Sequence, residues 1–335
     1  LEKTSNTVLL CCQSPGDVTK EETGKIIQAN NIANSAPPQA SHFAPDLGED
    51  HGTTFTDNTK FDTLSYMVPP GGTTAESNRG RGILFGGETP GADSTIQYVQ
   101  IQSLGNAVDF GDLSANKSAV GALASSTRAA SAGGYIAANT NVIEYVTIAT
   151  TSNATDFGDL AEPKHWVQGG GNQTRGIFAG GNADSPVGHT NTIEYITIAT
   201  AGNASNFGDI ARKPSVSSGS AMNSSTRAVF GGGTDPSAAA YNTLEYVTIA
   251  TTGDATDFGD LTDNKIRYGG CSSSTRGIIA AGGTPSVTNS ITYITIATTG
   301  NTSDFGDVTA ARQNVAAVTN SIRGLVAGGA TPSDV

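Results

Sequence analysis

The triplet Asp-Phe-Gly is the first feature of this sequence whose residue types could do chemistry, because protein kinases use it to hold magnesium. It begins at Asp109, Asp156, Asp257 and Asp304, and the related Asn-Phe-Gly begins at Asn206. A kinase also needs a catalytic-loop His-Arg-Asp, which this sequence lacks. A catalytic triplet has no reason to recur, so we expect Phe to pack between elements and Gly-Asp to turn the chain.

Recurrent Asp and Arg residues could form a second kind of site, a carboxylate–guanidinium pair. An Arg follows the end of each Phe-Gly-Asp segment after 16 residues in four cases and after 18 in one. This spacing predicts an ion pair that ties one repeat to the next. Solvated surface charge is the alternative. The predicted pairs are Asp112–Arg128, Asp159–Arg175, Asp209–Arg227, Asp260–Arg276 and Asp307–Arg323.

The other reactive residues form no catalytic or metal-binding pattern. The three cysteines include no Cys-x-x-Cys spacing, which argues against a disulfide framework and a structural zinc site. His42, His51, His165 and His189 are scattered, and no Ser/His/Asp order or pair of carboxylates stands out. We therefore expect a protein that is not an enzyme and that uses no cofactor and no metal.

The elements that must position these residues are repeats with tyrosines at 98, 145, 195, 246 and 293, a period of 47 to 51 residues. The segment N-V-I-E-Y-V-T-I-A-T-T-S-N-A-T-D-F-G-D at 141–159 returns at 191–209, 242–260 and 289–307, and in a degraded form at 94–112. A period of this size is typical of propeller blades. A second signature, Arg followed by an apolar run and Gly-Gly, begins at Arg81, Arg128, Arg175, Arg227, Arg276 and Arg323.

Residue type predicts that these repeats are built from strands. In the run Ile193 to Ile198, β-branched and aromatic residues alternate so that both faces carry apolar groups. A strand of that kind packs between two layers, as in a propeller. With the run before Gly-Gly and the Ser/Thr-rich stretch before each Arg, a repeat supplies about four short strands, or one blade. The sequence therefore predicts an all-β propeller.

The order of these pieces resembles the Kelch family. In Kelch repeats a strand ends in Gly-Gly, a strand with a central Tyr follows, and an aromatic residue comes some ten residues later. The matching pieces here are Ala-Ala-Gly-Gly at 280–283, Tyr293 and Phe305, with Phe in place of the usual Trp. The resemblance covers about residues 61–335 and implies the Kelch blade plan.

The sequence contains six Arg-to-Gly-Gly strands and five Phe-Gly-Asp segments. This difference of one predicts how the ring closes. The sixth strand, 323–329, has no Tyr strand after it, and an unpaired edge is a liability. Residues 62–68 read D-T-L-S-Y-M-V, which aligns with the Tyr strand of the repeats. We predict that the strand 61–70, with Tyr66 at its centre, lies beside 323–329 and closes a six-bladed propeller over 61–335.

Residues 1–60 share none of the repeat and are predicted to be an N-terminal extension or linker. The stretch from Thr7 to Pro45 contains L-L-C-C-Q-S, I-I-Q-A-N-N and S-H-F-A-P. On these motifs it resembles the end of concanavalin A-like modules in large structural proteins of marine bacteriophages. The resemblance implies the last strands of such a module.

Charge and loops indicate what the surface can bind. The net charge of −12 argues against nucleic-acid binding, and no apolar run approaches the roughly 20 residues of a membrane span. The connections from Gly-Gly to Tyr differ in length, and such loops often carry function. Asp184, His189, Asp235 and Tyr241 are the candidate ligand-facing residues, with simple spacers as the alternative.

The repeated wording E-Y-V-T-I-A-T and D-F-G-D-L resembles virion proteins of marine phages, especially those that infect cyanobacteria. This implies a multi-copy, non-enzymatic tail-fibre, appendage or capsid-decorating protein of the virion, with other virion proteins or host cell-surface glycans as partners. One alternative is an adhesion propeller that is secreted or held on a bacterial cell surface. A glycan-active propeller enzyme is another.

Overall fold

Short strands and tight turns alternate along the chain. The computed structural model describes residues 80–88, 91–102, 105–186, 188–211, 221–234, 237, 239–283 and 286–332. All of them lie in one unit, Asn78–Val335. Every regular element in this described part is a β-strand, and the strands pair antiparallel. The predicted all-β class is therefore confirmed.

The strands form five sheets, which we call blades 1 to 5, and a C-terminal hairpin. Blade 1 has three strands and blades 2 to 5 have four each. The strands of blades 1 and 2 are β1 (Arg81–Glu88), β2 (Ala92–Gln100), β3 (Val108–Lys117), β4 (Gly121–Ala124), β5 (Arg128–Ala132), β6 (Val142–Thr147) and β7 (Thr155–Asp159).

Blade 3 follows the same plan, with a small two-stranded sheet beside it. That small sheet consists of β8 (Lys164–His165) and β11 (Asn182–Ala183). The blade itself consists of β9 (Gln168–Gly171), β10 (Arg175–Ala179), β12 (Thr192–Thr197) and β13 (Ser205–Asp209).

Blades 4 and 5 complete the set of four-stranded sheets, and the hairpin follows. These strands are β14 (Met222–Asn223), β15 (Arg227–Gly231), β16 (Thr243–Thr248), β17 (Thr256–Asp260), β18 (Gly269–Ser272), β19 (Arg276–Ala280), β20 (Ser290–Thr295), β21 (Ser303–Asp307), β22 (Gln313–Thr319) and β23 (Gly324–Ala330).

Each blade pairs its Arg strand with its Tyr strand in one fixed register. In blade 2, Arg128 lies opposite Thr147 and Ala130 lies opposite Tyr145. Blades 1, 3, 4 and 5 repeat this register. The Tyr strand then pairs with the Phe-Gly-Asp strand through a bulge between Ile143 and Glu144. The sequence repeat is thus a repeat of strand pairing.

Adjacent blades pack against each other through apolar side chains. Phe157 of blade 2, for example, shares a buried cluster with Phe178, Ile196 and Ile198 of blade 3. Equivalent clusters join blades 1 and 2, blades 3 and 4, and blades 4 and 5. Burying a large aromatic side chain in this way stabilises the fold by about 3 kcal/mol. The five blades form a ring with the arrangement of a β-propeller.

The C-terminal hairpin contacts the blades on both sides of it. Its strand β22 contacts β18 of blade 5 and β1 of blade 1. The Asn314 N–H donates to the Arg267 carbonyl at 2.8 Å. On the other side, the Arg323 guanidinium donates to the Ile101 carbonyl at 3.0 Å. The predicted extension 1–60 and the predicted closing strand 61–70 lie outside the described residues.

Candidate ligand-binding site

The Phe-Gly-Asp segments join neighbouring blades. Phe157 is 2% exposed and meets Tyr145 edge to face at 5.7 Å. Gly158 has φ 142°, and a Cβ there would lie 2.5 Å from the Gly202 carbonyl group of blade 3. The Asp159 N–H donates to Oδ1 of Asn203, also in blade 3, at 3.1 Å. The segment needs Gly because another backbone approaches it so closely.

The same contact recurs around the ring. The Asp N–H donates to a side-chain oxygen of the next blade at 2.9–3.0 Å in the pairs Asp112–Asn153, Asp209–Asp254 and Asp260–Asn301. Within the described part of the chain, no group of three or more His, Cys, Asp or Glu residues is arranged to hold a metal ion. The repeated motif therefore accounts for packing between blades.

The repeated arginines also connect blades, by a route that the sequence did not indicate. In each of the five blades the guanidinium lies over the Tyr ring of its own blade, 4.4 Å from the ring centre in the Arg128–Tyr145 pair. In blades 1 to 4 it also donates to a main-chain carbonyl of the next blade, 2.8 Å from Arg128 Nη1 to Ile198 O. This pair of contacts combines cation–π attraction with a charge-assisted hydrogen bond. The other carbonyl bonds are Arg81–Ile148, Arg175–Ile249 and Arg227–Ile296.

The predicted Asp–Arg ion pairs are therefore wrong. None of the five pairs forms between described residues. The Arg128 guanidinium, for example, lies over Tyr145 and donates to the Ile198 carbonyl. The ion pairs between two described residues are Lys117–Glu144 and Lys164–Glu194.

Both lysine–glutamate pairs are buried between blades. Lys117 is 1% exposed and Glu144 is 1% exposed, and Oε1 of Glu144 also accepts the Ser114 N–H at 2.8 Å. Burial by itself raises the pKa of Glu144, but the hydrogen bonds from Lys117 and Ser114 and the lysine charge hold it below its usual range. The carboxylate is thus a fully engaged structural group.

Blade 5 departs from this arrangement. Thr292 occupies the position of Glu144, and the neighbouring Lys265, 0% exposed, donates to Oγ of Ser290 at 2.6 Å. In blades 2 to 4 the equivalent N–H donates to the buried glutamate. In blade 5 the Thr262 N–H donates to Oγ1 of Thr302 at 3.0 Å. Burial lowers the pKa of Lys265, against the opposing charge of Asp263.

One group of side chains does not recur around the ring, and it lies where blade 2 meets blade 3. We call it the aromatic cluster. It is assembled from the loop after β5, the connection through β8 and the segment at β11. Its members are Tyr135, Asn139, His165, Trp166, Asn182 and Asp184.

Three rings of the aromatic cluster form a continuous row. Tyr135 and His165 have ring centres 5.5 Å apart, and His165 and Trp166 have ring centres 4.2 Å apart. Tyr135 is 42% exposed and the adjacent Ile136 is 45% exposed. Partly exposed aromatic rings beside polar groups offer an apolar face and hydrogen-bonding partners to a ligand.

A chain of hydrogen bonds holds the polar members in place. Asn139 Nδ2 donates to Oδ1 of Asp184 at 2.9 Å and to the Asn182 carbonyl at 3.1 Å. Asn139 Oδ1 lies 2.5 Å from Nδ1 of His165. Burial lowers the pKa of His165, while the Asn182 carbonyl and the Asp184 charge partly oppose that shift and His189 adds to it. The imidazole is therefore neutral at pH 7.

The candidate residues from the sequence fall in different places. Asp184 belongs to the aromatic cluster, and His189 pairs with Asn182 beside it. Tyr241 lies in blade 4, where its N–H donates to the Gly233 carbonyl. Asp235 lies outside the described residues.

The sequence pattern did not indicate Tyr135, Asn139 or Trp166, and it presented His165 only as one of four scattered histidines. The available signal was that this chain has one Trp and that it interrupts the repeat.

Within the described residues, no helix is long and apolar enough to cross a membrane. No protein-family model and no curated protein matches this sequence.

Proposed function

We propose that this protein is a non-enzymatic binding module, a propeller that carries a ligand site on a rigid ring. In this proposal it serves as a tail fibre, appendage or capsid decoration of a virion. The observation behind this proposal is that the repeated polar residues hold the blades together, whereas the polar residues of the aromatic cluster do not. The repeated Arg, Glu and Lys groups bind neighbouring blades. The aromatic cluster, by contrast, is unrepeated and partly exposed.

The bonds from arginine to carbonyl support six blade positions in this proposal. Four of them run from one blade to the next in chain order, starting at Arg81. The fifth runs from Arg323 of the C-terminal hairpin back to Ile101 of blade 1. The hairpin thus makes the same contact as a blade would. Its missing Tyr strand is assigned, as a prediction, to residues 61–70.

A rigid, repeated scaffold with an acidic surface suits a protein displayed in many copies. The net charge of −12 keeps such modules apart and soluble. The role on a virion is supported by the resemblance of the repeat and of residues 7–45 to marine phage structural proteins. Other virion proteins and host cell-surface glycans are the proposed partners.

Immuno-electron microscopy of the source material tests this function, with antibodies raised against the full chain. We expect label at regular positions on phage particles. The control is the same material after pre-absorption of the antibody with the purified protein. Label confined to bacterial envelopes would overturn the virion role and support a bacterial adhesion propeller.

A further inference from the structure

The backbone position of Trp166 carries a different side chain at each of its described equivalents. Four connections between blades contain a residue with left-handed backbone, at φ 55–58°: Ala119, Trp166, Arg267 and Asn314. At this position the Trp166 N–H donates to the Ala119 carbonyl and the Asn314 N–H donates to the Arg267 carbonyl. The repeated contact uses the main chain only. A large aromatic side chain in this unfavourable conformation therefore needs a reason other than folding.

The surface around Trp166 is apolar on one side and accepts hydrogen bonds on the other. Tyr135 and Ile136, both about half exposed, extend the apolar row. Asp184 is exposed, and Asn139 holds its carboxylate in one orientation. Because Asn139 Nδ2 makes two donor contacts, its Oδ1 faces His165 and Nδ1 of His165 must donate. Neutral His165 then keeps Nε2 as an acceptor.

A ligand for this surface must have a flat apolar face and several hydroxyl donors. The chair of a pyranose has both, since its axial C–H groups cover one face and its hydroxyls surround the edge. The charges that act on His165 are those of Asp184 and His189, with His165 itself neutral at pH 7. The nearby Lys164 is buried and paired with Glu194. An anionic sugar would therefore meet the exposed Asp184 carboxylate, which repels it.

We propose that the aromatic cluster binds an uncharged pyranose at the end of a surface glycan. One face of the sugar packs on the row at Trp166 and the adjacent His165, with Tyr135 at its far end, and hydroxyl groups donate to the Asp184 carboxylate. This inference rests on the proposed binding function and identifies its ligand class. The site is shallow, so we expect a monosaccharide dissociation constant of about 1 mM and tighter binding through many copies on one particle.

The single Trp makes the test direct, because all indole fluorescence of the chain comes from Trp166. The native full chain is titrated at pH 7 with the methyl glycosides of glucose, galactose, mannose and N-acetylglucosamine, and with sialic acid. We expect a saturable change of emission with at least one neutral glycoside and none with sialic acid. A preference for sialic acid, or for a sugar with a free amine, overturns the proposal.

Variants separate the site from the fold. In a glycan-array assay, Trp166→Ala and Asp184→Asn should each weaken binding about tenfold or more, and Trp166→Phe should retain most of it. Arg267→Ala, at the equivalent position in blade 5, is the matched control and should bind as the native chain does. Thermal unfolding of each variant verifies that it is folded.

Two negative results have different meanings. If the native chain binds host cells and Trp166→Ala binds them equally well, the assigned site is wrong and the binding function stands. If the native chain binds neither glycans nor cells, the assigned site and its glycan ligand are wrong, and the virion role is decided separately by the label on phage particles.

Discussion

Single residues show how one substitution in the ring is accompanied by another. Where Thr292 replaces the buried glutamate of blades 2 to 4, Thr302 stands in place of an alanine and accepts the Thr262 N–H. A hydrogen bond of this kind contributes about 0.5–1.5 kcal/mol to stability. The second threonine therefore compensates for the first.

This compensation can be measured with paired substitutions. Thr302→Ala should lower the free energy of unfolding by about 0.5–1.5 kcal/mol, because it removes the hydrogen bond from the Thr262 N–H to Oγ1 of Thr302. Adding Thr292→Glu should recover most of this loss by restoring the glutamate arrangement around Lys265. Urea unfolding monitors both, with Ala204→Thr in blade 3 as the matched control, since Glu194 already accepts the equivalent N–H there. An unchanged stability for Thr302→Ala would contradict this explanation.

Lys265 should also affect how stability changes with pH. Burial lowers its pKa in the folded protein below the usual 10.5. Between the folded and the unfolded pKa the unfolded chain binds more protons, so the free energy of unfolding should rise as pH increases through that window. Urea unfolding from pH 7 to 10 should show a shallower rise for Lys265→Met than for the native chain. Parallel curves for the two proteins would show that Lys265 does not titrate differently on folding.

At the scale of elements, the Phe-Gly-Asp strand of blades 1 to 4 is fixed by the blade that follows it. Phe157, Gly158 and Asp159 each contact blade 3, through packing, close backbone approach and a hydrogen bond to Asn203. Three successive residues of one short strand thus depend on a neighbour in the ring. This explains why Phe-Gly-Asp recurs in this strand.

Two glycines that face each other across this contact provide the test. Gly158→Ala should destabilise the protein by about 1–3 kcal/mol, because its Cβ would meet the Gly202 carbonyl group and φ is 142°. Gly202→Ala is the control, since a Cβ there has no atom within 4 Å, and it should cost less than about 0.5 kcal/mol. Thermal unfolding of both variants measures the difference. Equal effects would mean that the close approach is not a constraint.

The whole molecule is a ring with one position that the described residues leave incomplete. Phe305 of blade 5 is 52% exposed, whereas its four equivalents are 1–2% exposed. Arg323 reaches Ile101 in blade 1, but the hairpin has no Tyr strand among the described residues. A strand beside β23 would cover the phenylalanine and provide a ring for Arg323 to lie over.

The proposed closure by residues 61–70 predicts a specific dependence on that segment. In the full chain Phe305→Ala should cost about 3 kcal/mol, as for a buried aromatic, and in a chain without residues 1–70 it should cost less than about 1 kcal/mol. Phe157→Ala is the control and should cost about 3–5 kcal/mol in both chains. Urea unfolding measures all four values. A small effect of Phe305→Ala in the full chain would refute closure by this segment.

The sequence by itself determined the strands and their repetition. Alternation of β-branched and aromatic residues around Tyr195 depends only on the two-residue period of a strand. The five Phe-Gly-Asp copies and six Arg runs also defined the blades, because each blade is a local unit of consecutive strands. The number of blade positions and the closing strand remain proposals.

Only the tertiary structure decided which groups meet between blades. A main-chain carbonyl such as that of Ile198 has no sequence signature, so the partner of Arg128 was predicted to be a carboxylate and is a backbone oxygen. The aromatic cluster could not be predicted from the sequence for a related reason. Tyr135, His165 and Asp184 come from separate connections, and it is the packing of blade 2 against blade 3 that brings them together.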